Sequence, residues 1–218
     1  MTARRLGVLF VFVLLVSCVD IDSPNVSTQD YQSEVRFANL STLGSATVQV
    51  TDINVSYGTI TLGQASDYKE FDAGSRAVTV TFPDASVDTS FRIVFATDKK
   101  GTVFILGDTS GSRFANAVER YVFEVPTKAD SAMVRVLNGL PAFDAVSITV
   151  AGEESQFAAA DLSYGDYSSY RTVVAGDYAV SVDTSDVVVL SDTLALAANK
   201  RYTVAVYGTD TVKEFVDD

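Results

Sequence analysis

The chain offers few groups for covalent chemistry. Its 218 residues include no His, no Trp and one Cys. No Ser-His or Cys-His nucleophile and no His-ligated metal site can be assembled from such a set. The single thiol is Cys18, in Leu15-Val16-Ser17-Cys18. Before it come Arg4 and Arg5 and an apolar run from Leu6 to Val16. That run is shorter than the about 20 residues a spanning helix needs, and it fits the apolar stretch of about 7–15 residues in a secretory leader. A small residue ahead of the Cys resembles the bacterial lipobox. Residues 1–17 are expected to be a signal peptide, cut between Ser17 and Cys18, with Cys18 lipidated as the new N-terminus. An ordinary signal peptide with a chance Cys, or an uncleaved anchor, is the alternative. One acyl chain such as palmitate holds a protein to a bilayer only marginally, whereas several hold it stably. The expected partner of Cys18 is therefore a membrane. Val19 follows the Cys where many inner-membrane lipoproteins carry Asp, so an outer-membrane or cell-surface location is expected.

Other candidate side chains point to binding rather than catalysis. Tyr164 and Tyr167 lie in Leu162-Ser163-Tyr164-Gly165-Asp166-Tyr167-Ser168-Ser169. Their spacing breaks strand alternation, so at least one ring should face solvent from a loop. Tyr, Ser and Asp together suit stacking and hydrogen bonding to a glycan or a protein partner. A tyrosine folded back onto its own domain is the plainer alternative. Asp183, Asp186, Asp217 and Asp218 read as solvated turns, because two aspartates supply too few of the oxygens that Ca²⁺ takes. Glu153 and Glu154 are adjacent, and neighbours on a strand point to opposite faces. They should not flank a glycosidic bond as a carboxylate pair. No G-x-S-x-G or Walker loop is present, and no cofactor or metal is expected. With 16 basic against 28 acidic side chains, a net charge of −12 makes a nucleic acid an unsuitable partner.

Elements that could carry these groups read as strands. Residues 18–33 are polar and aperiodic, a tether of roughly 20–25 Å root-mean-square span. Beyond it the sequence repeats at an offset of about 100 residues. Val35-Arg36-Phe37-Ala38-Asn39 matches Val134-Arg135-Val136-Leu137-Asn138. Tyr68, Ala73-Gly74, Val78 and Val80 match Tyr170, Ala175-Gly176, Val180 and Val182. Thr102 to Gly107 matches Thr203 to Gly208. Arg76 to Phe82 and Tyr178 to Val182 alternate with period two, as half-buried strands do. Six or seven short strands per half predict an all-β chain of two tandem antiparallel β-sandwich, immunoglobulin-like domains. The expected boundaries are 34–126 and 132–218, with a hinge at 127–131. A further strand over 118–125 could pair with the first domain's edge or lie between the domains.

The repeat also separates structural residues from free ones. Side chains matched in both halves should serve the fold. Arg36 and Arg135 are expected to have a partner carboxylate or to snorkel, and Asn39 and Asn138 to bond a turn backbone. Tyr68 and Tyr170 are expected as core or corner residues.

The V-R-x-x-N opening, the Tyr before an Ala-Gly turn, the V-x-V after it and the closing Tyr202 to Gly208 resemble the bacterial domain-of-unknown-function family DUF4397. The likeness covers about residues 34–216 in two copies. Val173-Val174-Ala175-Gly176 and Phe71-Asp72-Ala73-Gly74 both lack the Pro usual in that turn, and Gly101 replaces the closing Tyr of the first copy. The resemblance implies secreted or surface-anchored sandwich domains with no established activity. The combined expectation is a non-catalytic envelope lipoprotein that binds glycans or proteins. The alternatives are a structural subunit of an envelope assembly and, remotely, a hydrolase using carboxylates alone.

Overall fold

The computed structural model describes residues 31–108, 117–118, 129–184 and 187–217. The signal peptide, Cys18 and almost all of the tether fall outside the described residues, as do most of the 118–125 strand and Asp186. The first half holds β1 (Gln32–Asn39), β2 (Ala46–Val50), β3 (Val55–Ile60), β4 (Lys69–Asp72), β5 (Gly74–Phe82), β6 (Val87–Phe95), β7 (Lys99–Ile105) and β8 (Ala117–Val118). The second holds β9 (Ser131–Gly139), β10 (Ala145–Gly152), β11 (Gln156–Ser163), β12 (Arg171–Val174), β13 (Gly176–Thr184), β14 (Val187–Leu196), β15 (Arg201–Tyr207) and β16 (Thr211–Val216). A 3-10 turn at Pro83–Ala85 is the one helical element among the described residues. β1 opens at Gln32, so the last two residues assigned to the tether are sheet residues.

The halves repeat one topology. The first pairs β3-β2-β5-β6 and β4-β1-β7-β8; the second pairs β11-β10-β13-β14 and β12-β9-β15-β16. Each is an all-β sandwich, mostly antiparallel. In both, the opening strand runs parallel to the closing strand, β1 beside β7 and β9 beside β15. That pairing sets the V-R-x-x-N motif against the closing motif, with Arg36 opposite Thr102 and Arg135 opposite Thr203.

Alternation places the cores. Val78, Val80 and Phe82 of β5 are buried while Thr79 and Thr81 between them are half-buried. They join Val35, Phe37, Val48, Val103 and Ile105 in the first core. Val136, Ile148, Val180, Val204 and Val206 form the equivalent second core. Asn39 and Asn138 close the same turn in each half. Asn39 donates through Nδ2 to the carbonyls of Gly44 (2.8 Å) and Ile60 (2.9 Å) and accepts from the Ser41 N–H (3.0 Å). Asn138 donates to the Leu162 carbonyl (2.9 Å) and accepts from the Leu140 N–H (3.0 Å). A buried polar side chain with its bonds made rigidifies the turn it spans.

A third apolar cluster joins the halves. Ala38, Leu40, Phe104 and Leu106 meet Leu137, Ala205, Tyr207 and Phe215. The sheet containing β1 and β7 thus packs on the sheet containing β9 and β15, and the four sheets form successive layers. Phe104 and Phe215 meet edge to face, 5.4 Å between centroids at 80°. Strands covered on both faces lose alternation, which is why all seven residues of β15 are buried.

Close approach across this contact needs glycine. Gly63 has φ +74° and a Cβ there would strike the hydroxyl end of Tyr207, while the Lys213 ammonium donates to the Gly63 carbonyl at 2.6 Å. Gly58 has φ +68° with open space around it. Alanine at either site carries the left-handed backbone penalty of about 1–2 kcal/mol. Only Gly63→Ala also displaces Tyr207. Thermal unfolding should find Gly63→Ala melting lower than Gly58→Ala by roughly 2–12 °C, as overpacking of about 1–3 kcal/mol implies. Equal melting of the two variants would contradict the contact.

Candidate functional site

The matched polar residues converge on one carboxylate. Asp217 follows β16, and its side chain is fully buried. Its Oδ1 lies 3.6 Å from Arg36 Nη2 and accepts from Thr102 Oγ1 at 3.3 Å. Its Oδ2 lies 3.9 Å from Arg135 Nη2 and accepts from Thr203 Oγ1 at 2.5 Å and from the Tyr170 hydroxyl at 2.8 Å. Each arginine is held by its own half: Arg36 Nε donates to Thr102 Oγ1 at 2.9 Å, and Arg135 Nε to Thr203 Oγ1 at 2.7 Å. These bonds follow directly from the parallel registers of β1 with β7 and β9 with β15.

Aromatic faces complete the arrangement. Arg36 lies 4.8 Å from the Tyr68 ring centroid, and Arg135 lies 4.9 Å from Tyr170 and 5.2 Å from Tyr167. Burial pushes the Tyr68 phenol up, against the opposing pull of the Thr102 hydrogen bond and the Arg36 charge. Cation–π contacts gain strength where water is excluded. Arg135 is 1% exposed, and a fully covered carboxylate gives no substrate a path to it. The cluster is a clasp between two halves. Arg36 and Arg135 have the carboxylate partner the sequence suggested, and they share it. Asp217 corrects the reading of a solvated acidic turn: parallel strands bring two arginines to one point, and this carboxylate bridges them.

Tyr164 and Tyr167 take different positions. Tyr164 is half-buried and packs on the apolar cluster between the halves. Tyr167 is 37% exposed, bridges to Leu137 and lays its ring on Arg135. One ring, that of Tyr167, faces solvent as the spacing predicts, and Tyr164 is folded back onto the protein.

Cavities lie at turns of the second sandwich. One of about 820 Å³ is lined by Phe143 and Asp144 before β10, Ser147 in β10, Asp161 in β11, and Asp183 and Thr184 at the end of β13. Three carboxylates, two hydroxyls and an aromatic edge can accept hydrogen bonds from a polyhydroxyl ligand and stack on it. No Lys or Arg is among its lining residues. Asp183, which the sequence places in a solvated turn, is one of these; the others carry no sequence signal because they are scattered over elements that meet only when the sheet forms. A smaller cavity of about 300 Å³ is lined by Glu153, Glu154, Asp177 and Tyr178. Glu153 and Glu154 occupy the turn between β10 and β11, so the strand argument that set them on opposite faces does not hold. Among the described residues, no three His, Cys, Asp or Glu side chains are grouped to hold a metal ion.

No curated protein matches the chain. Among solved structures, the Bacillus anthracis TIE protein aligns at 7% identity with a TM-score of 0.27, covering 84% of this chain and 34% of that one. The chain therefore spans about a third of that protein's length. Residues 132–216, which run from β9 through β16, match the family described as a domain of unknown function, DUF4397, the family that the strand and turn motifs resemble.

Proposed function

We propose that the chain is a non-catalytic, lipid-anchored protein of the bacterial envelope that binds glycans through the end of its second sandwich. The 820 Å³ cavity carries this reading. Its size falls in the range of ligand sites, and its carboxylates and hydroxyls are groups that sugars engage. Loops at a sandwich end are common recognition surfaces on such scaffolds. Anchoring rests on the Ser17-Cys18 junction, and an outer-membrane or surface location on Val19 after it. The clasp at Asp217 supports a scaffold role for the matched residues, which leaves the unmatched ones for binding.

A second reading, a structural subunit of an envelope assembly, is favoured by the long edge strand β6, nine residues that pair only with β5 among the described residues.

A glycan array probed with the chain from residue 31 onward tests the first reading, since that segment is a compact unit holding all three apolar clusters. Asp144→Asn with Asp161→Asn should reduce binding to a retained glycan at least about tenfold, the loss expected of removed charged hydrogen-bond partners. Tyr167→Ala should leave that binding intact. No retained glycan, or binding indifferent to the paired aspartate changes, would overturn it. Separately, Cys18→Ser should release the full chain from membranes, and continued retention after signal cleavage would refute the anchor.

A further inference from the structure

The outer edge of the first half carries a charge pattern that the fold does not need. Strand β6 is the end strand of its sheet and pairs with β5 over nine residues without a register shift. Its exposed face shows Asp88, Ser90, Arg92 and Val94. Its inward face shows Val87, Thr89 and Phe91, which stay half-buried because nothing covers the edge among the described residues. Pro and Lys, common guards against edge pairing, are absent from this strand.

The repeat supplies a control. In the second half, Thr193 stands where Arg92 does, opposite Ala179 as Arg92 is opposite Ala77. Ser191 stands in the place of Ser90, and Val188 in the place of Asp88. The β13–β14 ladder also shifts register near Val182, whereas the β5–β6 ladder does not. The same sandwich therefore forms with neither charge present.

We propose that β6 is a homodimer edge, at which two copies pair antiparallel about a two-fold axis through Ser90. That register sets Asp88 opposite Arg92 of the second copy and Arg92 opposite its Asp88, with Ser90 facing Ser90. A shift of the axis by one residue either way removes both charge matches. Cross-strand partners of opposite charge stabilise a ladder and like charges oppose it. The same pairing places Val87 against Ile93 and Thr89 against Phe91, covering the half-buried inward side chains, and the four-stranded sheets join into one of eight. An isologous contact of this kind closes on itself and stops at the dimer. Arg92 now touches Ser75 Oγ (3.1 Å), the Ser75 carbonyl (3.0 Å) and Asp52 (3.9 Å). Its side chain is 62% exposed, so these contacts are weak and it can turn outward. The inference is independent of the glycan reading, because β6 lies in the other half from the cavity.

Sedimentation of the chain from residue 31 onward, across a range of concentrations, tests it. The wild type should show a monomer–dimer equilibrium. Asp88→Arg should weaken the dimer at least about tenfold by turning both matched pairs into repulsive ones, and Asp88→Arg with Arg92→Asp should restore it to within about threefold. Ser90→Cys should oxidise to a covalent dimer, since directly opposed residues have the spacing a disulfide needs. A wild type that stays monomeric to millimolar concentration overturns the proposal. So does a dimer indifferent to Asp88→Arg, or cross-linking by Ser191→Cys on β14 in place of Ser90→Cys.

Discussion

Asp217→Ala should lower the melting temperature by roughly 6–20 °C, the change that a loss of about 3–5 kcal/mol produces in a unit of this size. The reason is what remains behind. Arg135 stays 1% exposed with its carboxylate gone, and Tyr170, Thr102 and Thr203 each lose an acceptor. A buried charge whose counter-charge has been removed is more costly than a pair that was never present. Asp217→Asn, which keeps the shape but not the charge, should therefore fall most of the way to the alanine value. Replacing Arg135 by Met together with Asp217 by Leu should recover part of the loss, because the more deeply buried arginine is removed with the carboxylate, while Arg36, with a side chain 14% exposed, keeps solvent and the Val216 carbonyl. A melting temperature within about 2 °C of wild type for Asp217→Ala would mean the clasp contributes under about 1 kcal/mol.

Phe104→Ala is the second large effect, about 3–5 kcal/mol for a buried aromatic. Phe104 is 1% exposed and belongs to the first half by chain, yet its ring packs edge to face on Phe215 of the second. The loss should therefore appear in both halves. Hydrogen exchange should speed up in β15 and β16, whose residues Ala205, Tyr207 and Phe215 line the same cluster. Phe82→Ala, in the core of the first half alone, should cost a similar amount with less acceleration there. Unchanged exchange in β15 and β16 on Phe104→Ala would show that the two sheets only touch.

Alternating residues made the sandwiches legible. The Arg76 to Phe82 and Tyr178 to Val182 patterns place β5 and β13 correctly, since one covered and one wet face leave a period of two. Local turn chemistry was legible too: Asn39 and Asn138 each accept from the backbone N–H two residues on, while their donations to Ile60 and Leu162 reach a later strand. The layer between the halves was not. Val103 to Leu106 and Val204 to Tyr207 are unbroken apolar runs, and a run covered on both faces shows no period to say what covers it. Asp217 was missed for a related reason. Its partners Arg36 and Thr102 lie more than 100 positions away; the parallel register of β1 with β7 sets them side by side, and only the packing of the two halves brings Asp217 to them. The cavity residues share this difficulty, being drawn from separate strand ends. Matching the two halves did separate fold residues from the rest: Arg36 with Arg135, and Thr102 with Thr203, all reach one carboxylate.

Two cores are welded by a shared sheet contact and a shared carboxylate. Calorimetry of the chain from residue 31 onward measures that directly. A single transition, with calorimetric and van't Hoff enthalpies in agreement, is the result expected of one cooperative unit. Two resolved transitions in the wild type, or an Asp217→Ala variant in which one half melts as before, would contradict it.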